Sequence, residues 1–143
     1  MSAVPVKLLV WTPEYAVHGG EMDREHETWF EIVNRLHEAM LVGKGVEHLQ
    51  TVFEEAAKFG FDHFVHEEEL MAAAHYPGLR EHVQRHDELR AIAREWVRRF
   101  ERGEFTMTIE LSLVLAEGIK DHILAADRSF GEFLTAAHRD GKR

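Results

Sequence analysis

The chain has 143 residues, a length that fits one domain, and it carries no cysteine and a formal net charge of −9, with 17 basic side chains against 26 acidic ones. Without cysteine there can be no disulfide, thiolate metal site or thiol nucleophile, and negative charge spread along the whole chain argues against nucleic acid or anionic membrane as a partner. Apolar runs stop well short of the 18 residues of a membrane helix, and no basic segment followed by a long apolar one opens the chain, so a soluble, cytoplasmic protein is expected.

Residues 1–20 hold Pro5, Pro13 and the Gly19-Gly20 pair. They read as an ordered, non-helical arm on the domain surface, pinned by the rings of Trp11 and Tyr15. A first helix is expected from 22 or 23 to about 42, with Asp23 as N-cap or first-turn acid. His26, Phe30, Val33, His37 and Met40 form its inward stripe at helical spacing. Gly43-Lys44-Gly45 stops it. A second helix, about 46–74, turns Leu49, Val52, Ala56, Phe59, His63, Glu67 and Leu70 inward, with Gly60 in mid-helix as a place for a slight bend.

Tyr76-Pro77-Gly78 ends that helix and reverses the chain. A third helix, about 78–102, carries Leu79, His82, His86, Leu89, Ala93, Val97 and Phe100 on one face. Its arginines 98, 99 and 102 suit the C-terminal dipole, and Gly103 stops it. A fourth, about 107–127, is capped by Thr106 or Thr108 and presents Leu111, Leu115, Gly118 and His122. A shorter helix over 129–137 packs outside. Long helices joined by short connections make antiparallel neighbours. The expected fold is therefore an all-α, up-down-up-down four-helix bundle in a single domain: arm 1–20, bundle 22–127, short helix and tail 128–143.

Apolar stripes are ordinary core, but these also carry ionisable groups. Burying such groups unpaired costs several kcal/mol each, so they must be paired or bind metal. Each inward stripe holds at least one histidine: His26, His63, His82 with His86, and His122. His63 and Glu67 stand four apart, as do His82 and His86, within about 40° on one helical face. One inward histidine is usually a hydrogen-bonded core residue. Five on four converging helices, joined by Glu67 and Asp127, point to metal. Imidazole with carboxylate suits iron, zinc, manganese or copper, so the residue types alone leave the metal open.

The order His26, then His63-Phe64-x-x-Glu67-Glu68, then His82-x-x-x-His86, then His122-Ile123-x-x-x-Asp127 resembles the single-domain bacterial hemerythrins. Trp11, Asp23-x-Glu25-His26, Asn34, Leu70-Met71 and Tyr76-Pro77 add to the likeness, which spans residues 11–128. The resemblance implies a non-haem di-iron centre of two Fe ions. His82, His86 and His122 would bind one iron. His26 and His63 would bind the other, which keeps an open position. Glu67 and Asp127 would bridge the irons alongside an oxo or hydroxo oxygen. His122 and Asp127 stand five apart, about 140° around an ideal helix, so both reach one centre only if Asp127 comes round from the helix end or the helix loosens there.

Relatives usually carry tryptophan where this chain has Gly118, four residues before His122. Either the glycine lets helices approach closely, or Trp29, three after His26, fills that space, or the pocket is open. Ile119 takes the place of an aliphatic residue that shields the oxygen site. Gly118, Ile119 and Trp29 are thus the expected lining of an oxygen pocket. The remaining histidines, 18, 37, 48, 66, 75 and 138, are expected away from the metal. His66 reads as a surface or supporting residue, and Glu68 and Glu69 as a solvated face.

A histidine-rich centre with few carboxylates favours binding dioxygen and releasing it intact over oxidative chemistry. The leading expectation is reversible dioxygen binding by a non-enzyme: a carrier, a store, or a supplier to an oxygen-using enzyme, present as a monomer or weak oligomer. A di-iron oxidase or peroxidase whose pocket Gly118 opens is the alternative, and an oxygen or iron sensor is a third reading.

Overall fold

The protein is described here by a computed structural model covering residues 8–16, 20–43, 45–103 and 109–141. The expected caps Thr106 and Thr108, the histidine at 18 and the start of the fourth helix lie outside the described residues. So do the side chains at 111 and 138. The helices are α1 (Gly20–Leu41), α2 (Val46–Ala73), α3 (Leu79–Glu101), α4 (Ile109–His122) and α5 (Arg128–Gly141). Among the described residues there is no strand, and α1 to α4 form the four-helix bundle. No described helix is long and apolar enough to cross a membrane.

The helix ends follow local chemistry. Acidic Glu21 and Asp23 occupy the first turn of α1, and Arg98 and Arg99 the last turn of α3, each complementing the helix dipole. Helix α2 ends with His75 in the left-handed region, φ 56°. The His75 N–H donates to the Ala72 carbonyl and the Tyr76 N–H to the Met71 carbonyl, at 3.1 and 3.0 Å. These paired bonds satisfy carbonyls that the helix end leaves over and aim the chain back toward α3.

Of the expected arm, residues 1–7 and 17–19 lie outside the described residues; the described part, 8–16, pins to α1 as expected, with one correction: Pro13–Tyr15 form a 3-10 turn. Asn34 of α1 clamps it through both backbone groups of Leu9. The Leu9 N–H donates to Oδ1, and Nδ2 donates to the Leu9 carbonyl, each at 2.7 Å. Trp11 and Tyr15 each meet Phe30 edge to face, with ring centres 5.5 and 5.1 Å away, and tilt against each other at 5.7 Å.

An added Cβ at Gly60 would lie 2.8 Å from Trp29 Cζ2, so glycine there makes room for the indole of α1 to lie across α2. Helix α5 is not an outer appendage. It continues α4 through a π-helical turn at Ile123–Asp127 and buries Phe130 completely in the core beside Tyr76.

The remaining stripes lie where periodicity puts them, except Gly118. That residue is exposed, because α3 and α4 approach each other less closely than the other neighbouring helices. The seam between them is a cavity of about 470 Å³. Trp29 does not plug it: Trp29 and Gly118 line the same space, and nothing lies within 4 Å of a Cβ added at Gly118.

Candidate metal centre

Helical spacing delivers the donors. Helix α1 brings in His26, α2 brings His63 and Glu67, and α3 brings His82 and His86. His122 closes α4, and Asp127 closes the π-helical turn. In that turn the Arg128 N–H donates to the Ile123 carbonyl five residues back. Such i→i+5 bonding widens the helix by one residue, which returns Asp127 to the face of His122. Their Oδ1 and Nε2 lie 3.2 Å apart. The helix therefore loosens where the five-residue spacing required it.

All seven side chains are buried, none more than 7% exposed. They form two adjoining groups: Glu67, His82, His86, His122 and Asp127 in one, and His26, His63, Glu67 and Asp127 in the other. The carboxylates are shared atom by atom. Glu67 Oε1 faces His82 at 2.5 Å, His86 at 3.1 Å and His122 at 3.8 Å, while Oε2 faces His63 at 3.1 Å and His26 at 3.6 Å. Asp127 Oδ1 faces His82 and His122 at 3.0 and 3.2 Å, and its Oδ2 faces His26 at 3.0 Å. Each carboxylate thus points one oxygen at each histidine group.

The fit to cations rests on what protein atoms leave unsatisfied. Glu67 Oε2 and both Asp127 oxygens are buried and accept no hydrogen bond of proper geometry. Imidazole nitrogens also face each other, His26 Nε2 against His63 Nε2 at 2.9 Å and His86 Nε2 against His122 Nε2 at 3.1 Å. Unpaired buried acceptors and converging lone pairs are costly unless a cation stands among them.

Without a cation, protons take its place. Burial opposes charge on His63, but the bond to Glu25 and the facing carboxylate of Glu67 overcome it and raise its pKa to about 10. Burial likewise opposes charge on His122, and Asp127 and Glu67 raise it to about 9. Burial pushes the Glu67 carboxyl up, yet the surrounding imidazoles, His122 first, hold it well below the usual carboxylate range.

Supporting residues that periodicity assigned to solvent orient the ligands. The His63 Nδ1–H donates to Glu25 Oε1 and the His86 Nδ1–H to Glu68 Oε2, both at 2.7 Å. Each bond selects the tautomer whose Nε2 lone pair faces the centre. Arg90 ties down Glu68 at 2.7 Å and Asp87 at 2.9 Å. The expectation of a solvated Glu68 is thereby corrected: being only partly buried, it serves as an acceptor for a buried ring. His66 stands outside, bonded to Glu25 and 3.2 Å from Glu21. His37 shares a buried bond with Ser112 Oγ at 2.8 Å, away from the donors. Glu25 belongs to the Asp23-x-Glu25-His26 stretch of the family likeness, but nothing in the sequence marked it as the partner of His63.

The apolar surroundings are close. The Phe64 ring stacks on His86 with centres 4.1 Å apart and meets Trp29 edge-on at 5.6 Å. Ile119, buried one turn before His122, shares the cavity wall with both.

Comparison with known proteins agrees with this geometry. A bacteriohemerythrin of Pseudomonas aeruginosa is 31% identical over 85% of this chain and 78% of its own length. One of Methylococcus capsulatus is 26% identical over 90% and 98%. The crystal structure of a wild-type hemerythrin superposes with a TM-score of 0.83 at 25% identity, covering 87% of this chain and 96% of that one. Residues 20–134 match the hemerythrin HHE cation binding domain, and the chain belongs to that family of metal-binding four-helix bundles.

Proposed function

We propose that this chain binds dioxygen reversibly at a di-iron centre held by His26, His63, Glu67, His82, His86, His122 and Asp127, acting as a carrier or store rather than an enzyme. The observation that carries the reading is the unequal division of donors: five protein donors on one side and four on the other, with both carboxylates shared. That division leaves a small ligand room on the His26–His63 side. When bound, the iron pair supplies the electrons and the coordination position for dioxygen. The chain's own residues do the rest. Glu25 and Glu68 hold the imidazole rings. Phe64 and Trp29 set apolar rings against His86 and His63, and with Ile119 they line the neighbouring cavity. The names of the bacteriohemerythrin relatives support the reading.

The test is an absorption spectrum of the iron-loaded, reduced protein under anaerobic conditions, then in air, then after oxygen is removed. Bands that appear and vanish reversibly are expected. Permanent oxidation would favour the oxidase or peroxidase reading, for which the open cavity at Gly118 is the specific support.

A further inference from the structure

The cavity between α3 and α4 is far larger than a diatomic gas requires. An engineered apolar cavity of about 150 Å³ takes a benzene molecule. On that scale, 470 Å³ takes an organic molecule of roughly three times the size. The floor is Val33, Phe53 and Phe64, none more than 3% exposed. Among the described residues no lining side chain carries a charge or a hydroxyl, and the indoles of Trp29 and Trp96 bring the only polar N–H groups. Voids of this size cost stability, and bundles ordinarily fill them. Here small residues on two helices, Ala93 and Gly118, keep the space open.

We propose that this cavity is a binding site for a neutral, apolar organic molecule: an aliphatic or aromatic hydrocarbon, or one bearing a single hydroxyl or carbonyl oxygen. The cavity opens to solvent at Ile92, Val114 and Gly118, but a charged group drawn inside would meet no charged or hydroxyl partner among the lining side chains. A second copy of the chain would rest on the exposed rim at Ile92 and Val114 and could not reach a floor that lies beneath the helix surfaces. Phe64 forms the wall shared with the metal centre, so an occupant touches a residue stacked on His86 without touching a metal donor. The inference needs only the cavity and is independent of which gas the centre binds.

The experiment titrates the iron-loaded full chain, and separately the metal-free chain, with the neutral fluorophore N-phenyl-1-naphthylamine. Saturable one-to-one uptake is expected in both, with energy transfer from tryptophan. Decanol should displace the probe, whereas decanoate and decylammonium at equal concentration should not. Ala93→Leu and Gly118→Trp should weaken uptake at least tenfold, while Leu41→Ser, at an exposed apolar residue elsewhere, leaves it unchanged. Should those variants fail to fold by circular dichroism, the Trp11→Phe protein keeps only the two cavity indoles, and 11-bromoundecanol should quench their emission saturably. Non-saturable uptake, displacement by decanoate as effective as by decanol, or folded cavity variants that bind normally would overturn the proposal. So would a concentration-dependent dimer, seen in sedimentation, whose formation abolishes uptake, because it would assign this face to a second copy.

Discussion

Gly60 and Gly118 both lie inside helices, and changing each to alanine is expected to move stability in opposite directions. At Gly118 an added Cβ meets nothing within 4 Å and the residue is exposed, so alanine contributes only its better helix propensity. That stabilises by about 0.5–1 kcal/mol. At Gly60 the same Cβ would stand 2.8 Å from Trp29 Cζ2 and 3.3 Å from Cε2. Non-bonded carbons prefer about 3.5–4.0 Å. Relief requires the Trp29 ring to tilt away from Phe64 and His63, whose ring centres lie 5.6 and 5.7 Å from its own. Overpacking of this kind costs about 1–3 kcal/mol, which outweighs the propensity gain and leaves a net loss on the order of 1 kcal/mol. The two variants should then differ by about 2 kcal/mol. Urea unfolding of the metal-free proteins reads this as midpoints shifted to opposite sides of wild type at constant slope. A Gly60→Ala protein as stable as Gly118→Ala would show that the indole moves freely and would refute the reasoning.

Glu25→Ala should leave helicity unchanged but weaken iron binding about 10–100-fold in competition with a chelator, because His63 loses the acceptor that fixes its tautomer; unchanged affinity would remove Glu25 from that role. In the metal-free protein His63 and His122 are raised to about 10 and 9, so their contribution to stability is fully present below the unfolded value of about 6.5 and is lost as pH rises through 9 to 10. Glu67 and Asp127 are lowered, and their contribution is lost on acidification. Denaturant midpoints of the metal-free chain should accordingly peak near pH 5–6.5. Iron affinity should instead rise with pH, since the metal must displace those protons. Removing iron should lower the melting temperature well below that of the loaded protein while helical circular dichroism persists, as the apolar stripes remain; equal melting temperatures would count against a centre built from all four helices.

Helices α1 to α3 and the inward faces carrying His26, His63, Glu67, His82, His86 and His122 were legible in the sequence because each depends on local spacing. A helix turns every 3.6 residues whatever surrounds it, so His63 with Glu67 and His82 with His86 must share a face. The loosening between His122 and Asp127 was legible only as two alternatives. Which of them occurs is a backbone choice made when both side chains are drawn to one centre. The roles of Glu25, Glu68 and Arg90 were not legible, since a partly buried charge on a helix flank has the same periodicity whether it meets water or an imidazole on another helix. The pairing of His37 with Ser112 joins α1 to α4, and the accommodation of Trp29 over Gly60 joins α1 to α2. Neither leaves a mark on either segment alone. The exposure of Gly118 is the clearest case: helical spacing turns it inward, but whether inward means buried depends on how far apart α3 and α4 stand. That separation belongs to the packing of all four helices and to no stretch of sequence.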